Sequence, residues 1–293
     1  MRSIRKIFFQ NGKGQRWGLN GDQGVYASDL SGFGESLSTS FADLGRGFFA
    51  AVSNEAEPQN PLAFTLTFTR NPYETYKKLV DWLAGAGSLA IRYIPAGSQE
   101  FCRDVTVNFL QKGELNEVGW LEVPCSFLPT TPWYLPTPTA LEFSGSGLDE
   151  SKRYTYSYTE NLRYGTDSTA EISATIAGAG HIPGALELSF YGAIINPRIR
   201  LTGNISGKTF GICSVAASFD EFDLLKFSTN PRNAYVKKVS PGGKETDLLD
   251  SLDLTTEPFF RLPVDEPCTL SLESDASFTG TVNLLIYYYY RSV

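Results

Sequence analysis

Strict alternation of apolar and polar side chains runs through most of the periodic segments of this 293-residue chain. In residues 64–69, Phe-Thr-Leu-Thr-Phe-Thr, three large apolar side chains would line one face of a strand and three threonines the other. The same period of two recurs in residues 89–93, 105–109, 121–127, 154–158, 186–190 and 269–272. Many short strands with one buried face favour β-sandwiches, so we expect a mainly β protein.

A proline-rich segment divides the chain. Residues 128–138 contain four prolines, which cannot continue a helix or a central strand. We therefore predict two domains, residues 1–135 and residues 136–293. By the same argument, Pro124 predicts that the strand over 121–127 lies at a sheet edge.

One amphipathic helix is predicted, over residues 72–84. Asn71 suits the N-cap, Pro72 the first helical position, and Glu74 the carboxylate position of a capping box. Apolar residues recur at helical spacing within the segment, and glycines from Gly85 onward end it.

Residues 32–60, which precede this helix, contain several glycines and a polar stretch, and they predict a long hairpin or extended arm. The adjacent Phe48 and Phe49 belong to this arm. Exposed apolar tips usually find a partner, but adjacent aromatics can equally fold back onto their own core. The sequence leaves both alternatives open.

Composition excludes several classes of function. The net charge is −7, whereas nucleic-acid binding needs a basic surface, so no nucleic-acid partner is expected. No apolar run approaches the roughly 20 residues of a membrane span. The basic and briefly apolar N-terminus, residues 1–10, is too short for a signal peptide.

Few residues are available for catalysis. The one histidine, His181, lies in a glycine-rich turn, where a structural or surface role is expected. The glycine turns at 12–18 and 178–184 miss the GxGxxG spacing of a dinucleotide loop by one position. The cysteines form no CxxC pair and are expected to be reduced, packed thiols; they are Cys102, Cys125, Cys213 and Cys268.

Paired carboxylates are the remaining candidates for chemistry. Residues 220–223, Asp-Glu-Phe-Asp, lie in a run that predicts a strand, and Asp247, Asp250 and Asp253 predict a solvated acidic loop. Neither group has the fixed spacing of a calcium loop. We expect no enzymatic activity, no catalytic residue, no metal site and no cofactor.

The C-terminal run, residues 284–291, is strongly apolar and aromatic and predicts a strand. It suits the last strand of a sandwich, a strand buried on both faces, or a subunit contact. Its four tyrosines would also suit stacking against a sugar.

Segments spread over nearly the whole chain resemble the distal tail proteins of long-tailed bacteriophages. The resemblance lies in their order and spacing, in residues 17–19, 71–83, 89–93, 127–134, 180–183, 186–192, 195–199 and 289–293. One departure is Ile199, close to the position where that family often has an aromatic residue.

The resemblance implies a specific architecture. The N-terminal domain would be a β-sandwich with one helix that closes into a hexameric ring, and the C-terminal domain a galectin-like β-sandwich outside the ring. The ring would join the tail tube protein to tail-tip or baseplate proteins, as the hub of the host-adhesion device. The protein would then be a virion component, made in the host cytoplasm. A galectin-like fold does not by itself imply sugar binding.

A closed ring needs a heterologous interface with large anchor residues. The candidate oligomer interface consists of Phe48, Phe49, Tyr73, Tyr76 and Trp82. We expect the arm to reach a neighbouring subunit.

Two rival functions stay open on sequence grounds. One is a carbohydrate-binding adhesin that recognises a bacterial surface glycan, for which Tyr154, Tyr156 and Tyr158 would share one strand face. The other is a hydrolase with a carboxylate pair, which the acidic segments above do not favour.

Overall fold

The computed structural model describes residues 5–34, 39–45, 48–53, 60–97, 99–139, 144–145, 170–276 and 278–293. Of these, residues 39–45, 48–53, 138–139, 144–145, 170 and 279 are described by their backbone alone. The chain divides into two compact units, Met1–Leu135 with Tyr290–Val293, and Pro136–Tyr289. Both consist mainly of antiparallel strands, so the prediction of a mainly β protein with one helix is confirmed for the described residues. No helix in the described ranges is long and apolar enough to cross a membrane.

The first unit is built on one antiparallel sheet. Its elements are β1 (Lys6–Asn11), β2 (Arg16–Gly18), β3 (Val25–Ser31), β4 (Thr39–Gly45), β5 (Phe48–Ser53), β6 (Leu62–Phe68), α1 (Pro72–Ala84), β7 (Leu89–Ile94), β8 (Phe101–Leu110), β9 (Leu121–Pro129) and β10 (Trp133–Thr139), which begins in this unit. The strand order runs β2-β1-β7-β8-β9-β6-β3, and β10 also pairs with β8. The strands predicted over 64–69, 89–93 and 105–109 are all confirmed.

The core of the first unit follows from the alternation. In β6 every second residue, from Leu62 to Phe68, is buried, and α1 contributes the buried Leu79. Phe9 and Phe127 pack at its centre, with 5.1 Å between ring centroids. Burial of such rings is the main stabilising contribution to a sheet with one apolar face.

Helix α1 has the predicted bounds and ends at Gly85. Its N-terminus differs from the prediction, because Asn71 adopts a left-handed conformation (φ 42°) and its side chain makes no cap hydrogen bond. Glu74 pairs instead with Lys78 Nζ at 2.6 Å, one turn further on. This ion pair lowers the pKa of Glu74 through the hydrogen bond from Lys78. The Thr75 hydroxyl donates to the backbone oxygen of Arg70 at 2.8 Å.

Pro124 lies in an inner strand, so the prediction that residues 121–127 form an edge is wrong. β9 pairs with β6, where Thr65 stands opposite Pro124, and also with β8. The Gln111 N–H donates to the Pro124 oxygen at 2.9 Å, just past the end of β8 at Leu110. In an antiparallel strand the N–H and the C=O of one residue point to the same neighbouring strand. The Pro124 oxygen points toward β8, so the N–H that proline lacks would also have pointed there, just past the end of β8.

The predicted hairpin within residues 32–60 is confirmed for the part that the structure describes. β4 and β5 pair antiparallel, with Thr39 opposite Ser53 and Asp43 opposite Phe49. The register shifts near the turn, where Gly45 pairs with Phe48.

The second unit consists of two five-stranded antiparallel sheets. Its strands are β11 (Ser144–Gly145), β12 (Ala170–Ile176), β13 (Ile182–Ile195), β14 (Arg198–Gly203), β15 (Thr209–Ser214), β16 (Ser218–Phe219), β17 (Leu224–Ser228), β18 (Tyr235–Val239), β19 (Glu245–Asp247), β20 (Cys268–Ser274) and β21 (Thr279–Tyr290), with a 3-10 helix at Leu249–Ser251. One sheet has the order β11-β12-β20-β14-β15 and the other β19-β18-β17-β13-β21. The short β16 pairs with the end of β13.

Both sheets of the second unit contribute to one core. Leu270 and Leu272 come from the first sheet, and Leu188, Phe190 and Phe227 from the second. The predicted C-terminal strand is confirmed as β21, in which Ile286 and Tyr289 are buried and the residues between them are partly buried. Because Ile286 and Tyr289 are three positions apart, they lie on opposite faces of the strand, so each face of β21 carries a buried residue at this end.

Residues 220–223 form a turn between β16 and β17, so their prediction as a strand is wrong. The Asp223 N–H donates to the Asp220 oxygen at 3.0 Å, and the Asp220 N–H donates to Asp223 Oδ2 at 2.8 Å. An aspartate that accepts from nearby backbone N–H groups favours a turn over continued pairing.

Candidate assembly surface

Two aromatic residues of helix α1 pack on the unit that carries them. The Tyr76 ring meets Phe68 edge-on at 5.8 Å between centroids, and Trp82 lies 6.0 Å from Trp17. Both Tyr76 and Trp82 are partly buried. Of the helix aromatics predicted as an oligomer interface, these two leave only part of their surface for a partner.

Tyr73, at the start of α1, points into solvent, with 41% of its surface exposed. Its hydroxyl donates to Glu114 Oε2 at 2.8 Å, and Lys112 Nζ lies 4.6 Å from its ring centroid. The hydrogen bond to Glu114 raises the pKa of Tyr73. These contacts join the start of the helix to the loop between β8 and β9.

Phe48 and Phe49 are the first two residues of β5, and the paired strand β4 ends at Gly45. Their backbones pair with Gly45 and Asp43, and their side chains lie outside the described residues. The structure therefore places them near a hairpin tip, and their contacts with a neighbouring subunit stay a prediction.

The sequence analysis missed a further surface, residues 111–120 between β8 and β9, which we name the apolar loop. Leu115, Val118 and Trp120 are exposed by 42, 69 and 41%, respectively. The signal in the sequence is the turn Asn-Glu-Val-Gly at residues 116–119, with Leu115 before it and Trp120 after it. Alternation did not reveal it, because loop residues have no period.

The side chain of Asn116 organises the apolar loop. Its Oδ1 accepts from the N–H groups of Val118 at 3.1 Å and Trp120 at 2.9 Å, and its Nδ2 donates to Glu122 Oε1 at 3.2 Å. The backbone N–H of Asn116 donates to the Trp120 oxygen at 2.8 Å. Gly119 takes φ +83°, a conformation that suits glycine. The loop is thus closed by its own hydrogen bonds.

The candidate carboxylates have structural partners. Asp223 Oδ2 accepts from Lys238 Nζ at 2.6 Å. Burial alone would raise the pKa of Asp223, but this lysine and the Asp220 N–H together lower it. Asp253 Oδ1 accepts from the Thr255 hydroxyl at 2.6 Å, and Asp247 Oδ1 from the Leu249 N–H at 2.9 Å. Each carboxylate closes a local turn.

Among the described residues no group of three or more His, Cys, Asp or Glu side chains could hold a metal ion. All four cysteines are free and buried. Burial raises the pKa of Cys102, Cys125 and Cys213 to about 12 each. Such thiols are inert at neutral pH, because the thiolate is the reactive form.

The second unit carries a polar cavity of about 490 Å³. It is lined by Asn196, Arg198, Ser214, Val215, Ala216, Asp250, Ser251, Leu252, Asp253 and Asp275. Asp275 accepts from Arg198 at 2.9 Å and from Asn196 at 2.8 Å, so its principal polar groups satisfy one another. This lining contains no aromatic ring for stacking on a sugar, and Tyr154, Tyr156 and Tyr158 lie outside the described residues.

Comparison with known proteins identifies a domain in the first half of the chain. Residues 6–130 match the family model described as the N-terminal domain of the distal tail protein. No curated protein matches the chain in sequence.

Solved structures share the fold over the whole chain. A chain of the phage P2 baseplate in its activated conformation with Ca has a TM-score of 0.66 and 11% identity, covering 99% of this chain and 100% of that one. The same baseplate with Sr gives a TM-score of 0.65, again at 11% identity and with the same coverage of both chains. The SPP1 Dit (gp 19.1) protein, described as a paradigm of the hub adsorption apparatus in phages that infect Gram-positive bacteria, gives 0.58 at 11% identity, with 97% and 98% covered. At such identities the likeness establishes the fold.

Proposed function

We propose the function of the whole chain from residues 6–130, which match the N-terminal domain of the phage distal tail protein family. The chain is a structural component of a long-tailed bacteriophage particle and acts as a hub of its baseplate. Six copies close into a ring through the first unit. The ring joins the tail tube to the tail-tip proteins that carry out host adhesion.

One observation carries this proposal. The family match covers most of the first unit, and the fold of a baseplate chain extends over 99% of this chain at a TM-score of 0.66. The second unit therefore accompanies the first in the same arrangement along the chain as in that baseplate protein. A chain assembled from unrelated domains would not match over its full length.

The second unit is a galectin-like β-sandwich on the outside of the ring. In support, two five-stranded sheets bury their apolar faces in one core, which is the construction of a sandwich. We assign no sugar ligand to it, since the fold does not carry one with it. The cavity with the Arg198–Asp275 pair has no aromatic wall, and the comparisons do not favour the adhesin.

The surfaces of the first unit suit assembly. A hairpin that begins its second strand with Phe48 and Phe49, the exposed Tyr73, and the apolar loop offer large apolar anchors for other subunits. We expect the partners to be further copies of this chain, the tail tube protein and the tail-tip proteins, in a virion assembled in the host cytoplasm. No nucleic-acid, membrane or cofactor partner is proposed, and no enzymatic activity.

The proposal is tested by the solution mass of the full chain, measured by light scattering. Six copies of 32.3 kDa give about 194 kDa, which is the expected mass of the chain alone. If the ring closes only on the tail-tip protein encoded with this chain, the expected mass of the complex is about 194 kDa plus that of the bound tail-tip protein. A mass of one copy, 32.3 kDa, under both conditions would contradict the ring.

A further inference from the structure

We propose that the apolar loop, residues 111–120, docks into a different tail protein, which offers an apolar socket with lysine or arginine at its rim. The inference rests on the proposed function, because it takes the partner to be a component of the same tail.

The first argument is the exposed apolar surface. Single exposed aliphatic side chains are common on protein surfaces and need no explanation. Here Leu115, Val118 and Trp120 fall within six residues of one loop, and Val118 has 69% of its surface in water. Contiguous exposed apolar side chains mark interaction sites, and tryptophan is among the residues that most often anchor an interface.

The second argument is that the loop is already shaped for binding. Asn116 accepts two backbone N–H groups with one oxygen and fixes the turn that carries Val118 and Trp120. At the base of the loop, Leu115 pairs with Leu121 in an isolated antiparallel bridge. A loop held in this way loses little conformational entropy when a partner covers it. Without a partner, the hydrogen bonds of Asn116 would keep the apolar side chains of Val118 and Trp120 exposed to water, which is unfavourable.

The third argument is charge. The exposed carboxylates of Glu114 and Glu117 lie in the loop, and that of Glu122 lies two residues after it. Lys112, the basic residue of the same loop, lies over the Tyr73 ring. The exposed apolar side chains therefore belong to an acidic segment. Complementary charges guide association and oppose wrong partners, so the matching socket has a cationic rim.

The charge also argues for a different protein over a second copy of this chain. Two copies that met loop to loop would bring Glu114, Glu117 and Glu122 of one copy against the same carboxylates of the other, which is unfavourable. The ring contacts of the proposed function fall instead to the β4–β5 hairpin.

The test compares two variants of the full chain. L115S/V118S/W120S removes the apolar anchors of the loop, and I205S/L254S is the matched control in the second unit, where both side chains are more than 75% exposed. Each is titrated against purified tail tube protein and, separately, purified tail-tip protein encoded with this chain. The melting temperature and the mass by light scattering are measured on the same samples.

We expect the loop variant to bind one of these two proteins at least tenfold more weakly, with its mass and melting temperature unchanged, and the control to bind like the wild type. Glu117→Lys should slow association and reduce its dependence on salt. Asn116→Ala should weaken binding with all three apolar side chains in place.

Three results would overturn the proposal. Unchanged affinity of the loop variant for both proteins removes the docking role, and a lower mass assigns the loop to the contact between copies. If the wild-type chain binds neither tail protein and forms no ring, the proposed function itself fails. If the wild type forms a ring or binds a tail protein and the loop variant behaves in the same way, only the role of the loop is rejected.

Discussion

The two units of this protein bury similar cores but display different surfaces. In the first unit, Leu115, Val118 and Trp120 gather in one loop that its own hydrogen bonds hold closed. Among the described residues of the second unit, the most exposed apolar side chains, Ile205 and Leu254, lie in separate loops. The difference supports our proposal that the first unit, which contains the part of the chain that the family model matches, makes the assembly contacts.

The sequence match and the shared fold cover different lengths of the chain. The family model matches residues 6–130, whereas the shared fold of the P2 baseplate chain extends over 99% of the protein at 11% identity. Strand alternation and turn positions suffice to keep a sandwich, because many apolar side chains can fill the same core.

The largest effect is expected from the hairpin of the first unit. F48S/F49S should convert the ring of about 194 kDa into a folded monomer, because it removes both aromatic anchors from the arm. Light scattering and a melting curve measure this together, with I205S as a control on the second unit. A ring of full mass and unchanged stability would show that the arm makes no subunit contact.

The next largest effect is expected from substitutions in the two cores, each of which should destabilise one unit. Trp133 and Phe227 are fully buried, one in each unit, and Trp133 lies 5.5 Å from the ring of Phe33. Trp133→Ala and Phe227→Ala should each cost roughly 3–5 kcal/mol. Hydrogen exchange of the full chain should show lost protection in the mutated unit alone, since each unit has its own core among the described residues. Equal loss of hydrogen-exchange protection in both units would show that they unfold as one cooperative unit.

Acid should affect the second unit more than the first. Among the described residues, carboxylates with a lowered pKa are Glu74 in the first unit and Asp223, Glu245, Asp253 and Glu266 in the second. Hydrogen bonds from lysine or from backbone and hydroxyl groups lower these pKa values. A lowered folded pKa contributes stability above the ordinary values of 3.8 and 4.5 that is lost as pH falls through the folded pKa.

Pulsed hydrogen exchange after incubation between pH 7 and pH 3 measures this effect unit by unit. Protection of the second unit should fall first, below about pH 4. Glu245→Gln, which removes the carboxylate that pairs with Lys237 and Lys226, should reduce the difference between the units. If the first unit lost its hydrogen-exchange protection at a higher pH than the second, the prediction that acid destabilises the second unit more would be wrong.

The smallest effect concerns two Asn-Pro pairs, one in each unit. Asn71 and Asn196 both take a positive φ, 42° and 49°. The Asn196 Nδ2 donates to Asp275 Oδ2 at 2.8 Å, whereas the Asn71 side chain makes no cap hydrogen bond to α1. Asn71→Gly should therefore change stability by less than about 0.5 kcal/mol, and Asn196→Gly should cost about 1 kcal/mol. Urea denaturation measures both. An equal cost at Asn71 would show that its side chain caps α1.

The sequence predicted the elements whose signals are local. The alternation in β6 and the apolar spacing of α1 place both elements within two residues of their observed bounds. Pro124 and residues 220–223 were misassigned, because their roles depend on which strand ends beside them and which N–H groups face a carboxylate. The apolar loop was missed because exposure is a property of the folded surface. Tyr76 and Trp82 were predicted to be available to a neighbouring subunit but pack on Phe68 and Trp17 of their own unit. Helical spacing alone does not reveal how far an aromatic side chain is buried.

The most direct test of the proposed assembly is electron microscopy of the full chain with a label on the second unit. A gold label at the exposed turn 241–244, between β18 and β19, marks that unit without touching either core. The account predicts six-fold rings with a central hole and six labels at the outer rim. Rings with labels at the central hole, or particles without rotational symmetry even in the presence of the tail-tip protein, would contradict it.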